Sequence, residues 1–334
     1  MKKSARIVIP GKVEIIQEPE SYLTDPPAGW VTIQVQASGI CGTDIHIFKG
    51  EYLGSYPMVP GHEFAGVITA AGSNVDQFKA GDRVAVEPNL SCGNCQSCKN
   101  NRQHFCQNWQ AVGVTLPGGM ATHVSVPQEA VFSIGDLSFE EGAFMEPLSC
   151  VLHGVQRLNP ELGDRILLAG AGPIGLLLLR VLKQAGVAYI DVLEKRDSRR
   201  GIARASGAKA VYENVSSIPS TEYDSVIDAT GVPLIMEKLV KFSRPSGKIL
   251  FFGVPPKDSM ISINPFLLFN RELTLISSFT SLRNSQQALL LMQSGKVRVD
   301  DLVSHRFSLD DFDKGLKLGL SNEDGVMKLM IKPN

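Results

Sequence analysis

Arg165-Ile-Leu-Leu-Ala169 runs straight into Gly170-Ala-Gly172-Pro173-Ile174-Gly175, and the chain continues as an apolar segment to Gln184. An apolar strand, a glycine turn and a helix in that order make a G-x-G-x-x-G pattern informative, because each glycine then has a distinct task. Gly170 permits the tight turn, Gly172 lets the backbone approach a pyrophosphate, and Gly175 lets helix and strand pack closely. Pro173 and Ile174 open the helix, whose free N–H groups and dipole favour an anion. Glu194 closes the next strand, 24 residues beyond Gly170, where a carboxylate accepts hydrogen bonds from ribose hydroxyls. The residues read as a dinucleotide site. The plainer alternative is a glycine-rich turn in an ordinary α/β sheet.

The same pattern extends outward. Arg165 to Ala169, Tyr189 to Leu193, Ser225 to Ala229 and Lys248 to Phe252 are strand candidates. They alternate with helical segments at Ile174 to Gln184, Ser198 to Ala205 and Pro233 to Phe242. Strands separated by crossover helices predict a doubly wound parallel sheet. Upstream, Val31 to Val35, Ala65 to Ile68, Arg83 to Val86 and Ala121 to Val126 are short β-branched runs between Gly, Pro and Asn breaks, which predicts a β-rich domain. At 334 residues the chain is longer than a single core usually grows. Two domains are expected: 1–150, completed by 281–334, and 151–280. The tail carries helices at Gln286 to Gln293 and Leu309 to Leu318 and a strand at Met327 to Ile331.

Composition narrows the function classes. Hydrophobic residues make up 43% and charged residues 20%, with 33 basic against 34 acidic side chains, which is ordinary globular usage. No long basic run tracks a phosphate backbone, so nucleic acid is not expected as a partner. The longest apolar stretch, Ile174 to Leu179, is too short to span a bilayer. The opening Met-Lys-Lys has no apolar signal segment behind it, and a cytoplasmic protein without membrane partners is expected.

Four of the six cysteines lie together as Cys92-Gly-Asn-Cys95-Gln-Ser-Cys98, followed after seven residues by Cys106. Thiolates at that spacing can close tetrahedrally on one zinc, which stabilises a lobe and leaves no position open for chemistry. A disulfide reading requires an oxidising compartment, for which no targeting sequence speaks. A second constellation is Cys41-Gly-Thr43-Asp44-Ile-His46, then Gly61-His62-Glu63, then Glu146-Pro-Leu. One thiolate, one imidazole and one or two carboxylates can hold zinc with a position open for water or substrate. Read without further context, Cys41 is equally a small buried hydrophobe and His62 a satisfied core histidine.

Taken together, these motifs resemble the zinc-containing medium-chain dehydrogenase/reductase family, and within it the sorbitol and polyol dehydrogenase branch. The resemblance covers essentially the whole chain. It implies a GroES-like catalytic β domain beside the Rossmann domain, with the active site in the cleft between them. It further implies that Cys41, His62 and Glu146 surround a catalytic zinc, with Glu63 a ligand or its neighbour, and Asp44 orienting His62. Cys92, Cys95, Cys98 and Cys106 hold a structural zinc, giving two per chain. Thr43 and His46 relay a proton away from the substrate hydroxyl. NAD is the expected cofactor, since the charge of Glu194 repels a 2′-phosphate, although Lys195, Arg196 and Arg199 leave room for NADP. Asp228 and Gly253 are expected on the nicotinamide side. Cys150 and His153 are read as packing residues, and His104, His123 and His305 receive no role.

The resemblance implies oxidation of a secondary alcohol on a polyol or sugar-like substrate by hydride transfer. The sorbitol branch carries an Arg-Tyr pair where this chain reads Phe279-Thr280-Ser281, which leaves the particular polyol open. An aldose or threonine dehydrogenase, or a non-catalytic zinc- and nucleotide-binding relative, is the alternative. The resemblance also implies a homodimer or homotetramer.

Overall fold

The computed structural model describes residues 1–19, 23–51, 55–321 and 323–333. It divides into two compact units, Met1–Ser149 with Ser281–Asn334, and Cys150–Thr280. The boundary falls inside one helix, Met145–Leu158.

The second unit is built on a six-stranded parallel sheet among the described residues. Its strands stand in the order Ala210–Tyr212, Tyr189–Leu193, Arg165–Ala169, Tyr223–Asp228, Ser243–Phe251 and Thr274–Ser277. The first strand in sequence thus sits in the middle, and strand order reverses between Arg165–Ala169 and Tyr223–Asp228. This reversal is the point at which doubly wound sheets open a crevice beyond their carboxyl ends. Register places Ala169 beside both Leu193 and Asp228, and Asp228 beside Phe251. Gly170, Glu194 and Phe252-Gly253 therefore leave their strands at the same level. Leu167, Ala169, Val226 and Ile249 are fully buried, as expected of strands covered on both faces, whose sequences read as continuous apolar runs.

The helix following the glycine turn, Pro173–Gln184, starts with Pro173 in its first turn and buries Leu176 through Leu179. Proline is tolerated there because its missing N–H would have lacked a helical partner anyway. Each of these leucines contributes on the order of 1.5–3 kcal/mol by leaving water.

The first unit contains a seven-stranded sheet among the described residues. Along it run Val303–Ser308, Lys328–Lys332, Trp30–Ile40, Glu63–Ala71, Arg83–Val86 and Val131–Ser133, with His123–Pro127 also paired to Trp30–Ile40. Val31, Ile33 and Val35 alternate along the central strand and are fully buried against Phe64, Ile68 and Val84. The C-terminal strand Lys328–Lys332 joins the same sheet, with Leu329 opposite Ile40 and Met330 opposite Gly39. Glu63 lies opposite Gly39 on its other side. Three separate parts of the chain are thereby brought to one level beside Cys41. None of the described helices is long and apolar enough to cross a membrane.

Candidate metal centres and dinucleotide site

The four lobe cysteines converge. Sγ of Cys95 lies 3.5 Å from that of Cys98 and 3.9 Å from that of Cys106, which is 3.5 Å from that of Cys92. Four sulfurs around zinc at about 2.3 Å would stand about 3.8 Å apart, so the lobe fits the metal. All four are free thiols rather than disulfides. Backbone N–H groups of Cys92 and Asn108 donate to Cys106 Sγ at 3.3 Å. Those of Cys98 and Gln107 bring the Cys95 thiol down to about 6, the direction that favours a metal-binding thiolate, while burial pushes Cys98 up to about 11.

The second constellation also assembles. Cys41 ends the central strand and caps the helix Gly42–Lys49, and Glu63 begins the neighbouring strand directly after His62. One ligand atom from each of Cys41, His62 and Glu63 lies within 4.8 Å of the others. Glu146, the remaining expected ligand, is buried at the start of Met145–Leu158 but stands outside that group. Its charge still acts on His62 and on Lys328. Burial opposes an imidazolium at His62, yet Cys41 and Asp44, with a smaller contribution from Glu146, raise its pKa well above the ordinary value.

Asp44 is fully buried, and burial raises its pKa. Its carboxylate accepts from the backbone N–H of Cys41 at 2.8 Å and of Gly61 at 3.2 Å. Its Oδ1 stands 3.7 Å from His62 Nδ1, beyond hydrogen-bond range. Asp44 thus fixes the backbone segments that carry Cys41 and His62, instead of holding the ring by a direct bond. Thr43 Oγ1 lies 3.8 Å from Cys41 Sγ, and His46 Nδ1 meets Glu51 Oε2 at 2.8 Å.

In the second unit Gly170 has φ +99°, and a Cβ on Gly175 would overlap the Gly170 carbonyl oxygen. Both glycines are therefore demanded by the turn. Glu194 Oε2 accepts from Ala171 N, and its Oε1 accepts from Arg196 N, each at 2.9 Å. A Cβ on Gly172 would meet Arg199 Nη1 at 3.5 Å, so that guanidinium stands beside the expected pyrophosphate turn. Asp228 is buried, and its two oxygens accept from Thr230 N at 3.1 Å, Thr230 Oγ1 at 2.5 Å and Gly231 N at 3.0 Å. It braces the turn at its strand end, against which Gly253 packs.

Residues 27–136 match the model of the alcohol dehydrogenase GroES-like domain, and residues 173–294 match that of the zinc-binding dehydrogenases. D-altritol 5-dehydrogenase of Agrobacterium fabrum is 38% identical over 299 residues, covering 87% of this chain and 89% of that protein. The chain belongs to the zinc-binding alcohol dehydrogenase family. D-arabinitol dehydrogenase 1 of Uromyces fabae is 32% identical over 316 residues, covering 91% of this chain and 90% of that protein. A zinc-binding dehydrogenase of Sinorhizobium meliloti, solved with NADP, superposes with a TM-score of 0.94 at 31% identity, covering 100% of this chain and 99% of its own.

The dehydrogenase is thus an oxidoreductase, with a Rossmann-type sheet and a GroES-like β domain. Its donor sets suit zinc. Cys41, His62 and Glu63 offer one sulfur, one nitrogen and one oxygen donor within 4.8 Å of one another, a mixed set that zinc accepts. The residue that sequence reasoning missed is Lys328, whose Nζ forms a buried ion pair with Glu63 Oε2. Burial opposes its charge, but Glu63, Cys41 and Glu146 outweigh that and raise its pKa.

Proposed function

We propose that this dehydrogenase oxidises a secondary alcohol of a polyol or sugar-like substrate to a ketone, with NAD as hydride acceptor. The observation that carries the reading is the convergence of half-buried Cys41 with buried His62 and Glu63 in a chain that also builds the Gly170–Gly175 turn. The substrate class is supported by the altritol and arabinitol dehydrogenases among its relatives. A carboxylate in a ligand set otherwise made of sulfur and nitrogen also hardens the metal towards oxygen ligands.

Zinc held by Cys41, His62 and Glu63, with Glu146 beside them, would supply a Lewis acid that lowers the pKa of a bound hydroxyl, and the dinucleotide would supply the hydride acceptor. Thr43 accepts the proton released by the substrate hydroxyl and passes it towards His46. The half-exposed His46 ring, paired with Glu51, returns the proton to water. Asp44 keeps Cys41 and His62 at a fixed separation by holding the N–H groups of Cys41 and Gly61. Cys92, Cys95, Cys98 and Cys106 would hold the second, structural zinc.

Glu194 supports NAD because its carboxylate stands in the glycine turn, where it would repel a 2′-phosphate. The Sinorhizobium relative was solved with NADP, so the two cofactors need direct comparison. Among the described residues the Thr274–Ser277 strand ends the parallel sheet with an unpaired edge, and Leu275, Phe266 and Phe269 are exposed near it in sequence. An unpaired edge with apolar side chains is a surface that a second copy would cover, in keeping with a homodimer or homotetramer. The Cys92, Cys95, Cys98 and Cys106 thiols, held close together without a disulfide, suit a reducing compartment such as the cytoplasm.

The test is reduced-nicotinamide formation over polyols, sugar acids, polyol phosphates, diols and threonine, with NAD and NADP in parallel, on protein of verified zinc content. Turnover of one polyol class with NAD, lost in Cys41→Ser, is the expected result. Silence across the panel on protein holding two zincs would overturn the substrate assignment.

A further inference from the structure

Lys328 and Glu63 belong to strands that are not neighbours in the sheet. Between Lys328–Lys332 and Glu63–Ala71 runs Trp30–Ile40, whose Gly39 lies opposite Met330 on one side and Glu63 on the other. The Lys328 side chain crosses this middle strand to reach the Glu63 carboxylate. A Cβ at residue 39 would overlap Glu63 Oε2 and approach Lys328 Cε to 2.8 Å. The ion pair therefore occupies the space that only glycine leaves, two residues before Cys41. Lys328 is 7% exposed at its side chain and Glu63 1%, and the Phe144 ring lies 5.9 Å from Lys328 Nζ. Charges this far from water are not paired across an intervening strand by accident of surface packing, because an unpaired one would cost several kcal/mol.

We propose that Lys328 is a positioning residue of the catalytic metal site: its ammonium holds the Glu63 carboxylate through Oε2 and so limits how strongly Glu63 can ligate the metal beside Cys41 and His62. The inference rests on the zinc reading of that site. With Lys328 competing for it, Glu63 would lend only part of its charge to the metal. Without the ammonium the carboxylate turns wholly to the metal, and the nearest repelling cation is gone as well. Both effects tighten metal binding and raise the coordination number.

The test uses the full-length protein, stripped of metal and reloaded with cobalt(II), whose visible bands lose intensity as coordination rises above four. Chelator competition then gives the affinity of each site. Lys328→Met should weaken the visible bands of the second site and tighten its metal binding about tenfold, as expected for removing one nearby positive charge, with cobalt in the four-cysteine lobe unchanged. Lys328→Arg should restore the wild-type spectrum. Gly39→Ala, which drives a methyl group into the ion pair without altering charge, should shift the bands in the same direction and provides the readout if Lys328→Met does not fold. Folded variants with the wild-type spectrum and equal or weaker affinity would overturn the role of Lys328 alone. Wild-type protein that takes cobalt only in the four-cysteine lobe would instead overturn the catalytic metal site, and this inference with it.

Discussion

Glu194 accepts the backbone N–H of Ala171 through Oε2 at 2.9 Å, so the carboxylate that follows one strand is bonded into the glycine turn that follows its neighbour. The same group accepts the backbone N–H of Arg196 through Oε1 at 2.9 Å, and its negative charge is what stands against a 2′-phosphate. Glu194→Gln keeps the shape and removes the charge. The ratio of kcat/KM for NAD to that for NADP should fall about tenfold or more, equivalent to about 1.4 kcal/mol, mostly through KM. An unchanged ratio would mean that the carboxylate does not select the cofactor.

Gly175 meets the Gly170 carbonyl oxygen so closely that any Cβ would overlap it. Gly175→Ala must push the helix Pro173–Gln184 off the strand Arg165–Ala169, at a cost of about 1–3 kcal/mol from overpacking. Titration of NADH by fluorescence should show binding weakened at least tenfold, while both zincs stay in place. Retained NADH affinity would remove the close-packing argument for this turn.

The glycine turn and the cysteine lobe were legible because both are local: spacing alone carries their geometry. The parallel strands were legible because burial on both faces writes them as apolar runs such as Arg165 to Ala169 and Tyr189 to Leu193. The N-terminal hairpin Lys2–Ile9 and Lys12–Glu18 was not, since its first strand opens on two lysines. The short helix Pro265–Arg271 was missed although Asn264 Oδ1 accepts from Phe266 N at 2.9 Å, a cap that Asn-Pro announces. Lys328 was out of reach for a different reason. A lysine within a short strand reads as solvent-facing, and only the register across Gly39 brings it to Glu63. Glu146 shows the converse: its motif was plain in sequence, yet three ligands converge without it.

Cys106 Sγ stands 3.5 Å from Cys92 Sγ and 3.9 Å from Cys95 Sγ, so its loss opens the tetrahedron. Cys106→Ser should reduce zinc from two to one per chain by metal analysis and lower the melting temperature by several degrees, because structural zinc contributes directly to folding. The kcat of the molecules that remain folded should change less than twofold at low temperature. A parallel loss of both zincs would show that the two sites are not independent.

Glu140 receives Arg306 in a two-pronged pair, Nε to Oε1 at 2.8 Å and Nη2 to Oε2 at 2.7 Å, and Lys332 Nζ joins at 2.9 Å. The pair ties the helix Phe139–Ala143 to the two C-terminal strands of the first unit. The hydrogen bonds from Arg306, helped by Lys332 and opposed by burial, hold the Glu140 carboxyl below its ordinary value of 4.5. A depressed acid stabilises the folded state fully above its unfolded pKa. That contribution is lost as the pH falls through the folded value, where both states carry the proton. Glu140→Gln should therefore cost about 1 kcal/mol at neutral pH, the upper range for a partly exposed network. The gap in urea midpoint between wild type and variant should narrow steadily once the pH drops below 4.5, and added salt at neutral pH should narrow it too, since part of the pair is solvent-exposed. A gap independent of pH would assign the effect of Glu140 to packing instead of charge.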